Sequence, residues 1–322
     1  MALRTSATDA AHAIDATDAT DATSAPDATQ QTQPIHEVSD PMARRNLRLL
    51  KPGEYRPDWS QAARGGGISP IFLALVAAFA ASGIALYKGY GSDRAGVFIF
   101  VLSGWLISLC LHEFMHAAAA YWGGDHTVAQ KGYLRLDPRV YGHPVLTFVL
   151  PIFFLLIGGL PLPGGAVSVE SHRLRGKWKD SLVSASGPAV NVMFSVVLIA
   201  VLKTWGPYVA WFPGVPVAPG GAFWAALTFL AYIQVASAIL NLLPIPGLDG
   251  YGIIEPFLSY EWRRIGAQIA PYGILLVFVL LYALGPDRNF IANWSQDILN
   301  GRTPINGEYY GYHLFKFWSN DF

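Results

Sequence analysis

The chain has 322 residues, 22 Lys+Arg balanced by 22 Asp+Glu, 52% hydrophobic residues, only 14% charged residues and a single Cys. Soluble domains carry about 25% charged residues, so this surface does not face water throughout. The zero net charge excludes a nucleic-acid binder built on a basic face, and one cysteine excludes a disulfide framework or a thiolate zinc cluster.

Residues 1–40 repeat Ala, Thr and Asp, as in ATDATDAT at 16–23, and contain almost no aliphatic or aromatic side chains. That composition predicts disorder. Asp9, Asp15, Asp18, Asp21 and Asp27 fit neither a secretory signal nor a transit peptide. Arg44, Arg45, Arg48, Lys51, Arg56 and Arg64 precede the first apolar run, which by the positive-inside rule puts the N-terminus in the cytoplasm. Residues 1–65 thus read as a disordered cytoplasmic region, 66–285 as a membrane domain and 286–322 as a polar and aromatic tail.

Apolar segments follow at 68–88, 95–122, 144–161, 181–205, 222–246 and 265–285. Lengths of about 18 residues or more suffice to cross ~30 Å of hydrocarbon. The expected fold is an all-α polytopic membrane protein with five to six transmembrane segments. A full crossing by 144–161 would place Arg173, Arg175, Lys177 and Lys179 outside. It would also put the end of 222–246 on the face opposite His112 and His116. Pro144, Pro151, Gly158, Gly159, Pro161, Pro163, Gly164 and Gly165 suit a segment that enters and leaves on one side. A re-entrant or broken segment near 144–165 is therefore expected, with the basic loop cytoplasmic.

His112, Glu113 and His116 form HExxH within the second apolar segment. The i, i+4 spacing projects both imidazoles from one helical face, near enough to share a zinc ion, with Glu113 beside them as candidate general base. The motif alone also occurs on unremarkable surface helices. An acid and two histidines inside an apolar span are costly without a role, which favours metal binding. Asp249 is the only charged residue between Lys203 and Glu255 and follows the helix-breaking Pro244 and Pro246. An Asp there is often a turn residue, yet its isolation and matching depth favour a third ligand. Two His and one carboxylate leave a fourth zinc position for water, the mark of a catalytic site. The metal would activate that water and Glu113 would carry its proton. Cys110 reads as a small buried hydrophobe. Asp125, His126 and His143 are candidates for outer roles, His143 foremost because it leads the re-entrant segment.

HEFMH at 112–116 together with NLLPIPGLDG at 241–250 resembles the site-2 protease family of intramembrane zinc metalloproteases, whose paired motifs are HExxH and NxxPxxxLDG. The segments GYLRLDP at 132–138, HPVLTFVLPIFFLLIGG from His143 and SGPAVN at 186–191 are similar to its compact bacterial subgroup without a PDZ domain. The resemblance implies that His112, His116 and Asp249 are zinc ligands and Glu113 the acid/base. It also implies that Asn191 and Asn241 lie near the site, in contact with substrate or supporting helix geometry. The implied substrate is a single-span transmembrane protein cut within or near the bilayer of a bacterial inner membrane, with the site towards the cytoplasm. Such a substrate must unwind locally. The sequence GAVSVE at 165–170 fits a short β element whose edge would pair with the unwound strand, and fits a plain connector equally well. Two readings compete with the peptidase: a divalent-cation transporter, and a non-proteolytic protein that binds membrane helices.

Overall fold

The computed structural model describes residues 66–141, 149–158, 167–207, 220–279, 290–300 and 307–318. The region 1–65, His143 and most of the segment expected to be re-entrant lie outside the described residues.

The first long helix, α1 (Pro70–Lys88), has clear stops at both ends. Ser69 accepts the Phe72 N–H, Pro70 sits where no N–H donor is needed, and Gly89 closes the helix at a φ of +71°. α2 (Asp93–Gly123) is capped by Ser92 and ends at Gly124 with a φ of +123°. Its 31 residues reach about 46 Å, more than the hydrocarbon requires. After the short α3 (Leu150–Gly158) come α4 (Lys177–Trp205) and α5 (Gly221–Asn241). Among the described residues, α1, α2, α4 and α5 are long and apolar enough to cross a membrane. The protein is an all-α polytopic membrane protein.

The core lies where α2, α4 and α5 meet, with Phe100, Trp105, Leu198, Phe229 and Ile233 in one apolar cluster. A second cluster surrounds the C-terminal half of α2 and includes Cys110, Ala117, Tyr121, Val167 and Val183. α5 is buried over most of its length, whereas α1 turns Leu73 and Ile84 outward. In a bilayer that outer face meets lipid rather than water, so its exposure carries no penalty.

α3 falls within the segment expected to be re-entrant, whose flanks lie outside the described residues. The described residues on either side, Tyr141 and Val167, both pack in the cluster around the C-terminal half of α2. Arg175 N–H donates to the Gly123 carbonyl at 3.2 Å, and Glu170 N–H to Asp125 Oδ2 at 2.8 Å. The β element expected at 165–170 is not a strand over its described part, 167–170. Side chains take up its backbone groups instead, since Lys131 Nζ donates to the Ser168 carbonyl at 3.0 Å and Asp125 takes the Glu170 N–H. The sheet among the described residues is a parallel pair, β1 (Gly67–Ile68) with β2 (Arg135–Leu136), in register Gly67 to Arg135.

The apolar stretch 265–285 is also broken over its described part, 265–279. α6 (Asp249–Ile254) and the amphipathic α7 (Tyr260–Ile269) are followed by a 3₁₀ turn at Ala270–Tyr272 and by α8 (Gly273–Phe278). Pro271 lacks an N–H and its ring clashes with the preceding turn, so the α-helix stops there. The stretch read as a C-terminal tail contains α9 (Phe290–Leu299) and α10 (Gly307–Phe315). Leu299, Tyr310, Leu314 and Phe315 are buried in the main cluster.

α10 reaches α5 through two glycines. A Cβ on Gly307 would press on the Thr228 side chain, and one on Gly311 would strike the Ala225 carbonyl oxygen and Phe229. Gly311→Leu should therefore lower stability by about 1–3 kcal/mol through overpacking. Thermal unfolding in detergent would show a reduced midpoint with helix content retained below it.

Candidate metal centre

One face of α2 and the broken end of α5 build the site. His112 and His116 sit one turn apart on α2 and are buried. Gly247 turns the chain after α5 at a φ of +95°, a conformation that only glycine adopts without strain. Gly250 lies so close under Leu242 that a Cβ there would strike its carbonyl. This tight return places Asp249, the first residue of α6, beside the two imidazoles.

The three donors converge. His112 Nε2 lies 3.0 Å from His116 Nε2 and 3.2 Å from Asp249 Oδ2, and His116 Nε2 lies 3.3 Å from Asp249 Oδ1. Ligands at about 2.0–2.1 Å from a tetrahedral zinc stand about 3.3 Å apart, so the spacing fits. Proton placement agrees. His116 Nδ1 is 2.7 Å from the Val183 carbonyl, which only accepts, so Nδ1 carries the proton and Nε2 a lone pair. Two lone pairs and a carboxylate facing one point repel unless a cation lies between them.

Gly187 closes the cradle. It lies on α4 where a Cβ would collide with Nε2 of both histidines, so glycine alone leaves room for an ion. Pro188 follows inside the helix and removes one backbone donor there. Glu113 is buried next to the histidines, with Oε2 lacking a hydrogen-bond partner among the described residues. A hydrogen bond from the Val167 backbone reaches the same carboxyl. The strap at 167–175 thus lies directly over the acid.

A cavity of about 240 Å³ opens onto these groups, lined also by Trp105, Val169, Ser237 and Asn241. Asn241 is half-buried on its wall. Asn191 is buried and its Oδ1 lies 2.8 Å from His112 Nδ1. Asn191 Nδ2 donates to Gln234 Oε1 at 2.9 Å, and Gln234 Nε2 donates to Ser108 Oγ at 2.7 Å.

The strap is pinned by charge as well as by backbone bonds. Asp125 is fully buried and accepts from Thr127 N–H, Thr127 Oγ1 and Glu170 N–H. Glu170 pairs with Arg173 and Lys131, whose hydrogen bonds, Arg173 foremost, hold its carboxyl down to about 2. Its ion pairs are complete above the ordinary carboxylate range near pH 4.5 and are lost only as the pH falls towards 2.

Asp125, a candidate for an outer role from the sequence, pins the strap, whereas Gln234, Ser108 and Gly187 were not singled out. For Gln234 a signal existed, since an amide inside the charge-free α5 is expensive without a partner. For the others none did.

Relatives fit this picture. The chain is 40% identical over 258 residues to a protein of Mycolicibacterium smegmatis named "Putative zinc metalloprotease Rip2", covering 78% of this chain and 94% of that one. The protein of the same name from Mycobacterium tuberculosis is 39% identical over 261 residues, with the same shares covered. "Putative zinc metalloprotease YwhC" of Bacillus subtilis is 28% identical over 182 residues, 54% of this chain and 76% of that one. No family model matches the chain, and no solved structure matches it.

A methyl group in the cradle tests the donor geometry. Gly187→Ala should abolish stoichiometric zinc while leaving helix content unchanged, read by metal analysis and circular dichroism on one purified sample.

Proposed function

The chain belongs to the site-2 protease family of zinc metalloproteases, and from that premise we propose that it hydrolyses a peptide bond in the transmembrane helix of a single-span membrane protein. The observation that carries the reading is the convergence of His112, His116 and Asp249 at 3.0–3.3 Å beside a buried, half-satisfied Glu113. In this reading the three residues hold the zinc and Glu113 is the acid/base.

Bound zinc supplies a Lewis acid and lowers the pKa of water at the site. Glu113 takes the proton from the attacking water and delivers it to the amide nitrogen of the leaving strand, so that one carboxyl serves both halves of the reaction. Its burial and the Val167 backbone bond hold it at the cavity and keep bulk water from exchanging that proton. Val167 and Val169 line the cavity on the strap side, where an unwound substrate strand would lie. Asn241 faces the same space from the end of α5 and is positioned to meet the substrate backbone.

The orientation proposed is that of a bacterial inner-membrane protein with the site towards the cytoplasm. Arg173, Arg175, Lys177 and Lys179 all lie at the end of α2 that carries the metal donors, which the positive-inside rule assigns to the cytoplasm.

Glu113 separates this reading from cation transport. Glu113→Gln should keep zinc and reduce cleavage by about 10²–10⁴-fold, since it removes only the proton carrier. Comparing membrane fractions of wild type and variant, single-span proteins truncated in the first should be full length in the second. Unchanged truncation in a zinc-loaded Glu113→Gln protein would end the peptidase reading.

A further inference from the structure

Resting on the zinc reading, we propose that Gln234 and Ser108 are positioning residues of the metal centre, acting through Asn191 to hold His112 in the one tautomer that can ligate. The direction of the hydrogen-bond chain carries this. At its far end the Trp105 carbonyl oxygen only accepts, so the Ser108 hydroxyl donates to it, at 3.0 Å. Ser108 Oγ then offers lone pairs, and Gln234 turns its Nε2 amide towards them at 2.7 Å. Gln234 Oε1 is left to accept from Asn191 Nδ2 at 2.9 Å. Asn191 therefore presents Oδ1 to His112, whose Nδ1 lies 2.8 Å away and carries the proton. Nε2 keeps its lone pair, aimed at His116 and Asp249.

The two histidines differ in how this is achieved. His116 faces the Val183 backbone carbonyl, which cannot change from acceptor to donor. His112 faces a side-chain amide, which can. Rotating Asn191 by half a turn would aim its NH₂ at Nδ1 and favour the tautomer protonated on Nε2, the one that cannot bind metal. Gln234 opposes that rotation, because the rotated Asn191 would set oxygen against oxygen.

The chain ties together the three central helices, with Ser108 and His112 on α2, Asn191 on α4 and Gln234 on α5. All four side chains are buried, Gln234 completely, so no bulk water replaces a broken link. A Gln at this depth in an apolar span carries a desolvation cost that an apolar residue of equal size avoids. Direction-setting is a role that only its paired donor and acceptor can fill.

Gln234→Met keeps the volume and removes both polar ends. Gln234→Glu, neutral in so buried a setting, restores them, since its carbonyl oxygen accepts from Asn191 and its O–H donates to Ser108. Zinc affinity is measured by chelator competition on purified protein in detergent, with thermal midpoints of the metal-free proteins as the packing control. Gln234→Met should bind zinc about 10–100-fold more weakly, the range for partners of metal-ligating histidines. Ser108→Ala should lose less in the same direction, and Gln234→Glu should stay near wild type.

Wild-type zinc affinity in Gln234→Met would overturn the proposal. So would an equal loss in Gln234→Glu, which would assign the effect to packing. Because the readout is affinity, a wild type that holds zinc but cleaves nothing counts against the peptidase reading and not against the relay. A wild type that binds no zinc overturns both.

Discussion

The structure depends on one electrostatic constraint, which is that two imidazole lone pairs and a carboxylate point at one another across 3.0–3.3 Å inside an apolar bundle. In water such groups would be screened and would drift apart. Here the two histidines are buried and Asp249 is half-buried on helices whose packing prevents separation, and the low dielectric magnifies the interaction of each with any ion between them. Several local features that look unrelated answer to this constraint. HExxH sets two donors on one helical face. The Pro-rich end of α5 and the left-handed Gly247 carry the third donor back to them. Gly187 keeps α4 from filling the space where they meet.

Around that centre, polar groups are satisfied in a graded way. The backbone fixes His116, a chain of side chains fixes His112, and Glu113 Oε2 is left without a partner among the described residues. A buried unpaired oxygen costs on the order of 1–3 kcal/mol. Such an expense is tolerable where the atom must stay free to exchange a proton. The strap contributes from the other side. Its backbone bonds go to Asp125 and Lys131 rather than to a neighbouring strand, so its remaining edge faces the cavity through Val167 and Val169.

The membrane class and the pairing of His112 with His116 on one face were legible in the sequence because both depend on short-range regularities. Charge-free runs announce spans, and an i, i+4 pair of histidines needs only a helix to share one face. Asp249 was legible for a different reason, its isolation among 51 residues without another charge. Most of what escaped depends on distant partners. GAVSVE has the alternation of a strand, but Asp125 and Lys131 compete for its backbone. The stretch 265–285 has the composition of a span, yet Pro271 breaks it. The aromatic C-terminal stretch reads as polar tail until Gly307 and Gly311 let α10 settle against α5. At 167–170 and in α10 a tertiary contact decided the outcome, whereas the break at Pro271 is local.

The proposed substrate adds a condition on what can react. A membrane helix would hide its carbonyls in its own i to i+4 bonds, so it would have to unwind before one of them reached Glu113. The strand that enters must arrive already extended, with backbone groups stripped of partners in a setting without bulk water. Those groups need replacements on the walls, and polar groups are present there in the strap backbone and the Asn241 side chain. For the membrane-helix substrate proposed, choice would rest less on the residues flanking the cut than on how readily the helix unwinds, which would favour segments containing Gly, Pro or Asn over uniform runs of Leu.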